Sequence, residues 1–183
     1  MVIGHVSIAF LVRSRAPRAE LLALIVASML PDLADFVLPQ GNQCRTSCGL
    51  YTHAFPAFLV LAAAAAALAW GIWHRRATAA LVAVMIVAHV ALDLLTGFKP
   101  MWFGGPPVGL GLYRYQWLDF VVESLMVAAA WVMLRRSPSP PRWAVRWITL
   151  AAVIAVQGAY DVWHHRKFGR PRAMSMSMRI TGH

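Results

Sequence analysis

The stretch AHVALDLLTG, residues 88–97, places His89 and Asp93 four residues apart inside otherwise apolar sequence. On a helix the two side chains share a face, because residues four apart differ by only about 40° in direction. Imidazole nitrogen and carboxylate oxygen are ligands that zinc and similar divalent ions accept. The spacing therefore indicates part of a metal site, and the alternative is a plain buried hydrogen bond.

Other polar side chains are embedded in apolar sequence in the same way. The chain has seven acidic residues, and five of them lie inside apolar segments: Asp32, Asp35, Asp93, Asp119 and Glu123. His5 and His53 also have apolar neighbours. An ionisable group in hydrocarbon is costly unless it is paired. Each of these residues is therefore a candidate site residue.

Each candidate also has a structural interpretation. A single histidine such as His5 is commonly a hydrogen-bonded packing residue. Asp32 and Asp35 follow a proline near a helix end, where they would meet solvent or the N-terminus of a neighbouring helix. Asp119 and Glu123 begin a helix, where acids suit the helix dipole, and there we favour the structural interpretation. The combination indicates a site more strongly than any one member.

Long apolar segments must position these residues. Of the 183 residues, 60% are hydrophobic and 13% charged, against about 25% charged in an average soluble domain. Five segments approach the length of about 20 residues that crosses a bilayer: residues 20–38, 51–73, 77–97, 117–134 and 143–163. Residues 1–12 add a short or partly inserted helix without signal-peptide features. We predict an all-α, polytopic integral membrane helical bundle of about five transmembrane helices plus a short N-terminal helix.

The domain organisation is simple. We predict a single transmembrane helical domain over residues 1–163, with the motifs in residues 1–134. The Pro-rich connection SPSPPR, residues 137–142, cannot continue a helix and separates this part from an extra helix at 143–163. Residues 164–183 form a basic tail that we expect to be disordered.

The net charge of +10 would be typical of a nucleic-acid binder in a soluble protein. Its distribution indicates a membrane topology instead, because the arginines cluster in alternate connections, whereas the intervening connections hold only Arg45 in one and Lys99 and Arg114 in the other. The clusters are Arg13, Arg15 and Arg18, then Arg75 and Arg76, then Arg135, Arg136, Arg142 and Arg146. By the positive-inside bias this side is cytoplasmic, although the basic tail conflicts with that orientation if 143–163 spans. We expect a lipid bilayer as partner and no nucleic acid.

Successive segments cross the membrane in opposite directions, and this brings the candidate residues to a similar depth in the membrane. All of them fall in the leaflet away from the arginines, and reversing the orientation would move them together. The metal-site candidates are His5, Asp32, Asp35, His53, His89 and Asp93. Three aspartates and three histidines suffice for two divalent ions with open positions, and the ions would make the buried charges tolerable. The site is predicted near the non-cytoplasmic face.

Five motifs carry a family likeness. GHVSIAF, MLPDLADFVLP, LYTHAFP, AHVALDLLTG and VGLGLYRYQWLDFVVE occur in this order within residues 1–123. In that order they resemble bacterial membrane-bound metal-dependent hydrolases of the inner membrane. The resemblance implies that the six candidates named above match the family's metal-site residues. A looser similarity to helical zinc-dependent phospholipases C and nucleases implies phosphoester hydrolysis.

Two positions depart from the family pattern. Many members read His-Arg-Gly-x-Thr-His where residues 48–53 of this chain read Cys-Gly-Leu-Tyr-Thr-His, and many have histidine at the position of Phe36. Either one family ligand is absent here or Cys48 replaces it, so the site holds one or two ions. Cys44 and Cys48, the only cysteines, leave a disulfide, two free thiols and a metal-binding pair open.

These observations give a leading hypothesis and two rivals. The leading one is a membrane-embedded hydrolase that uses one or two divalent ions, zinc first, to activate water against a phosphoester of a lipid or lipid-linked substrate. His5, Asp32 and Asp35 are its catalytic candidates, with an aspartate free of metal as general base. The rivals are a proton- or ion-coupled transporter and a non-catalytic scaffold with a structural metal site. The sequence shows no inverted repeat of the kind typical of transporters.

Overall fold

The computed structural model describes residues 3–37, 51–102, 105–112 and 115–168, apart from the side chains of Phe36, Tyr51, Gln116 and residues 164–168. Six helices run through this part of the chain: α1 Ile3–Arg15, α2 Leu21–Val37, α3 Phe55–Trp73, α4 Arg76–Thr96, α5 Gln116–Arg135 and α6 Trp147–Phe168. A 3-10 turn, Tyr51–His53, precedes α3. A two-residue antiparallel ribbon pairs β1 Lys99–Pro100 with β2 Pro107–Val108. The predicted all-α membrane bundle is confirmed.

Three helices of the described residues are long and apolar enough to cross a membrane: Phe55–Trp73, Arg76–Thr96 and Trp117–Arg135. The apolar part of α6, Trp147–Trp163, is shorter. α2 has 17 residues that include a proline and two aspartates. Every predicted span thus corresponds to a helix, but only three helices meet the length and composition of a span.

Two predicted segments begin earlier than the helices that they contain. The segment predicted from residue 51 is divided, because the 3-10 turn ends at His53 and α3 starts at Phe55 with a proline in its first turn. Proline suits that place, since the missing N–H would have no helical partner there. α6 begins at Trp147 instead of residue 143, because turns follow the prolines of residues 137–142.

Helices α1, α2 and α4 form the middle of the bundle. α1 packs against α5 and α2, and α4 packs against α3 and α2. Phe10, Leu24, Ile86 and Trp131, one from each of four helices, are fully buried in the shared core. Large apolar side chains such as Leu68 are exposed on the outer faces. Polar groups inside and apolar groups outside are the arrangement expected of a bundle in lipid.

The arginine-bearing connections meet at one end of the bundle. Arg13 Nη2 donates to the carbonyl oxygen of Ser139 at 2.9 Å. Arg75 Nη1 donates to the carbonyl oxygen of Arg18 at 3.1 Å. These hydrogen bonds join the last turn of α1 to the connection after α5, and the connection after α1 to the connection after α3. The three connections that the charge pattern assigns to one side are therefore in contact.

Candidate metal centre

Four side chains from three elements converge at the end of the bundle away from the arginines. Asp32 belongs to α2, His53 to the 3-10 turn, and His89 and Asp93 to α4. One ligand atom of each lies within 4.8 Å of the other three. His53, His89 and Asp93 are buried, whereas the Asp32 side chain is 37% exposed. The group has a closed interior and one accessible edge.

The atoms that face one another are imidazole nitrogens and carboxylate oxygens. His53 Nε2 lies 3.0 Å from His89 Nε2 and 3.1 Å from Asp93 Oδ2. Asp32 Oδ1 lies 3.5 Å from His53 Nε2 and 3.6 Å from His89 Nε2. Ligands at tetrahedral corners, about 2.1 Å from a zinc ion, are about 3.4 Å from one another. The observed spacings fit an ion of that size.

Hydrogen bonds on the far side of each ring fix the imidazole tautomers. His89 Nδ1 lies 2.7 Å from the carbonyl oxygen of Ser28, which can only accept, so Nδ1 carries the hydrogen. His53 Nδ1 lies 3.0 Å from Oδ2 of Asp35, whose carboxylate also accepts. In the neutral rings both Nε2 atoms consequently present lone pairs to each other. Partners of this kind orient the histidines of metal sites.

The four converging atoms are therefore all acceptors when the rings are neutral, and such a group could hold a cation. The effect on His53 is that its ring binds a proton more strongly. Burial alone would lower the pKa of His53, but hydrogen bonds with the surrounding carboxylates outweigh burial and raise that pKa to about 10. Metal-bound histidine is deprotonated at the ligating nitrogen, so a metal ion would replace the proton at Nε2.

Asp35 contacts the cluster from outside. Its Oδ2 accepts from His53 Nδ1, and its Oδ1 accepts from the backbone N–H of Thr52 at 3.2 Å. The Thr52 hydroxyl donates to the carbonyl oxygen of Pro31 at 2.8 Å. These bonds tie the 3-10 turn to α2. The sequence predicts Asp35 as a ligand, but the structure places its carboxylate on the nitrogen of His53 that faces away from the common point.

His5 reaches the cluster from α1. Its ring stacks on that of His89, with ring centroids 3.8 Å apart and planes inclined at 23°. Its Nε2 lies 3.3 Å from Oδ1 of Asp93, whereas Oδ2 of the same carboxylate faces His53. The side chain is fully buried. His5 thus contacts two members of the cluster without being one of the four converging groups.

Lys99 is a site residue that the sequence indicates only as part of a connection. Its Nζ lies 2.9 Å from Asp93 Oδ2, and its side chain is 16% exposed. The ribbon holds it there by pairing Lys99 with Val108. Gly109 follows at a φ of 148°, and a Cβ there would overlap the carbonyl oxygen of Gly97 at the end of α4. The signal in the sequence is a single lysine shortly after a helix that carries one acid, Asp93, in its apolar sequence.

Asp119 and Glu123 lie apart from the four converging groups. Glu123 Oε2 accepts from the backbone N–H groups of Ile3 and Gly4, at 3.1 and 3.2 Å. Gln157 of α6 also accepts from Ile3 N through Oε1, at 3.2 Å. The favoured structural interpretation of Glu123 is therefore correct in kind, but the helix N-terminus that it serves is that of α1.

Two predictions lie outside the described residues. The pairing or metal binding of Cys44 and Cys48 is one of them. The disorder of the tail predicted from residue 164 is the other, except that its first residues, 164–168, are helical as the end of α6. Both stay predictions.

A protein-family model described as YdjM inner membrane protein matches residues 1–164 of the chain. No curated protein and no solved structure matches it. The family description agrees with the predicted inner-membrane location, as do the three apolar helices.

Proposed function

The chain belongs to the YdjM inner membrane protein family, and we propose that it is a membrane-embedded, metal-dependent hydrolase of a phosphoester in a lipid or lipid-linked substrate. The observation that carries this proposal is the convergence of two imidazole nitrogens and two carboxylate oxygens on one point. All four are acceptors once both rings donate through Nδ1. One divalent ion, zinc first, would satisfy them together.

The roles of the four groups follow from their exposure. Catalytic zinc sites combine three protein ligands with one open position. His53, His89 and Asp93 are the three buried members, and we assign them as ligands. Asp32 is the accessible member, so we assign it as the general base, whose carboxylate would accept the proton of the attacking water. A metal ion bound here would supply an activated water and charge stabilisation.

The groups around the four have supporting roles in this proposal. Asp35 holds the ring of His53 through Nδ1 and is a positioning residue. His5 supports the ring of His89 by stacking and lies within reach of Asp93 for proton transfer. Lys99 brings a positive charge to Asp93, where it would stabilise charge on a phosphoryl oxygen.

The lipid substrate is inferred from the surroundings of the site. Exposed apolar side chains neighbour the site residues in the chain, at Leu33, Leu95 and Phe98. These apolar side chains suit a lipid environment, from which a lipid phosphoester would reach the exposed carboxylate of Asp32. We place this carboxylate near the non-cytoplasmic face, because the arginines lie at the other end.

The test is metal content followed by turnover. Detergent-purified protein is analysed for transition metals, and wild type is compared with the His89→Ala, Asp93→Ala double variant. Asp119→Asn, a buried acid outside the cluster, is the matched control. We expect near-stoichiometric metal in wild type and control and none in the double variant. Phosphate release from a lipid phosphomonoester in mixed micelles should follow the metal. Wild-type protein that binds no metal under metal-replete conditions would refute the site.

Asp32 separates the hydrolase from its two rivals. In a hydrolase, Asp32→Asn retains the metal and loses phosphate release. In a scaffold with a structural metal, Asp32 is a fourth ligand, and the same variant loses metal and thermal stability. In an ion-coupled transporter, the variant changes ion flux into proteoliposomes while phosphate release is absent throughout.

A further inference from the structure

A second candidate site lies where the arginine-bearing connections meet. A cavity of about 340 Å³ is formed between the connections after α1, α3 and α5 and the first turn of α2. Its charged lining consists of Arg13, Arg18, Arg75 and Glu20. Three guanidinium groups against one carboxylate give the cavity an excess of positive charge. Its chemistry is therefore complementary to an anion.

Arg13 supplies an independent observation. The residue is only 8% exposed, and it lines the cavity. Its Nη2 donates to the carbonyl oxygen of Ser139. Its buried Nη1 has no hydrogen-bond partner among the residues that the structure describes. A buried guanidinium with an unused donor is costly unless an anion completes its hydrogen bonds.

We propose that this cavity binds the phosphate group of an anionic phospholipid. The planar guanidinium donates two parallel hydrogen bonds and matches phosphate geometry better than an ammonium does. The lining also includes Leu22, which is 64% exposed, and Trp143, which is 43% exposed. These apolar side chains suit the glycerol and acyl part of a lipid, and a free phosphate would make no use of them. Basic pockets between membrane helices bind lipid headgroups in the same way.

This site is distinct from the metal centre. Along α1, His5 and Arg13 are separated by about 12 Å at about 1.5 Å per residue. Along α2, Leu21 and Asp32 are separated by about 16 Å on the same basis. The bound lipid would hold the three connections together, so it stabilises the folded chain whether or not the metal centre is catalytic.

Lipid binding by the full chain in detergent tests the proposal. Phosphatidylglycerol is titrated while the thermal midpoint and the dissociation constant are measured, with phosphatidylcholine and inorganic phosphate as comparison probes. The cavity variant is Arg18→Gln with Arg75→Gln, since both side chains are exposed. The matched control is Arg136→Gln with Arg146→Gln, two exposed arginines outside the cavity lining.

We expect phosphatidylglycerol to raise the midpoint of wild type and control, and to bind the cavity variant at least about tenfold more weakly. Neither comparison probe should reproduce this shift. Equal binding of phosphatidylglycerol to wild type and cavity variant would overturn the proposal. An equal shift with inorganic phosphate alone would also overturn it, because the ligand would then be a soluble anion.

Arg13→Lys tests the buried member without removing its charge. The variant retains a positive charge but loses the two parallel N–H donors of the planar guanidinium. We therefore expect weaker phosphatidylglycerol binding with an unchanged size-exclusion profile. Unchanged affinity in a folded Arg13→Lys protein would contradict the role of Arg13.

Discussion

Buried carboxylates lie on two sides of the beginning of α1, in the cluster of Asp32, His53, His89 and Asp93 and at Glu123. They have different partners in the two places. In the first, side chains of the 3-10 turn, α2 and α4 direct acceptors at one another, with His53 Nε2 only 3.0 Å from His89 Nε2. In the second, Glu123 directs its carboxylate at the backbone N–H groups of Ile3 and Gly4.

The difference lies in what the neighbouring element presents. The N-terminus of a helix offers backbone donors without helical partners, and a carboxylate satisfies them directly. The cluster of His53, His89, Asp32 and Asp93 faces other acceptors, so a cation is the partner that could satisfy it. A carboxylate in an apolar helix thus indicates a polar partner, and only the facing element decides whether that partner is backbone or an ion.

Removing a member of the acceptor cluster should have the largest effect on metal binding. His89→Ala deletes one buried nitrogen and the stacking partner of His5. We expect metal affinity to fall by at least about a hundredfold, since a catalytic zinc site has only three protein ligands. Competition with a chromogenic chelator measures it. Retained affinity would mean that His89 is a packing residue, as Glu123 is a capping residue.

Changing the residue that orients a ligand should have a smaller effect on the same quantity. Asp35→Asn keeps the shape but weakens the hydrogen bond that holds His53 through Nδ1. Loss of such an outer partner typically lowers metal affinity by about 10- to 100-fold. Chelator competition on wild type and variant gives the ratio, and the folded state is checked by circular dichroism. A loss as large as that of His89→Ala would indicate that Asp35 is itself a ligand.

The second group should affect stability and leave metal binding unchanged. Glu123→Met removes the acceptor with little change in shape and leaves the N–H of Gly4 without its partner. We expect a loss of about 1–3 kcal/mol in the free energy of unfolding, measured by denaturant titration in detergent. Glu123→Gln keeps an acceptor oxygen and serves as the matched control. A loss of metal in Glu123→Met without a loss of stability would break the distinction between the two groups.

The smallest effect should come from Asp119, in the first turn of α5. Asp119→Asn preserves the shape at a residue outside the four converging groups, so we expect full metal content and a smaller loss of stability than in Glu123→Met. Metal analysis and thermal unfolding on the same preparation measure both. A clear fall in metal content would extend the site across α1 to α5.

Some of this could be predicted from the sequence. The four-residue spacing of His89 and Asp93 fixes their common face on α4, and long apolar segments predict the helices. The different positions of Asp32 and Asp35 could not be predicted, because two residues about 60° apart can exchange roles with a small rotation of α2. The 3-10 turn brings His53 Nδ1 to Asp35 and so leaves Asp32 as the aspartate of α2 in the cluster. The periodicity of the sequence does not predict such a turn.

The contact of Lys99 with Asp93 could not be predicted from the sequence for a related reason. It depends on a ribbon of only two residues per strand and on the close approach of Gly109 to the end of α4. Both are set by tertiary packing. A cation in a connection is otherwise typical of a solvated residue.

The most direct test of the acceptor cluster is X-ray absorption spectroscopy at the edge of the metal bound to purified, metal-replete protein. We predict a shell of nitrogen and oxygen ligands with the multiple scattering of two imidazoles, reduced to one in His89→Ala. A wild-type spectrum without imidazole scattering would contradict the assignment of His53 and His89 as ligands.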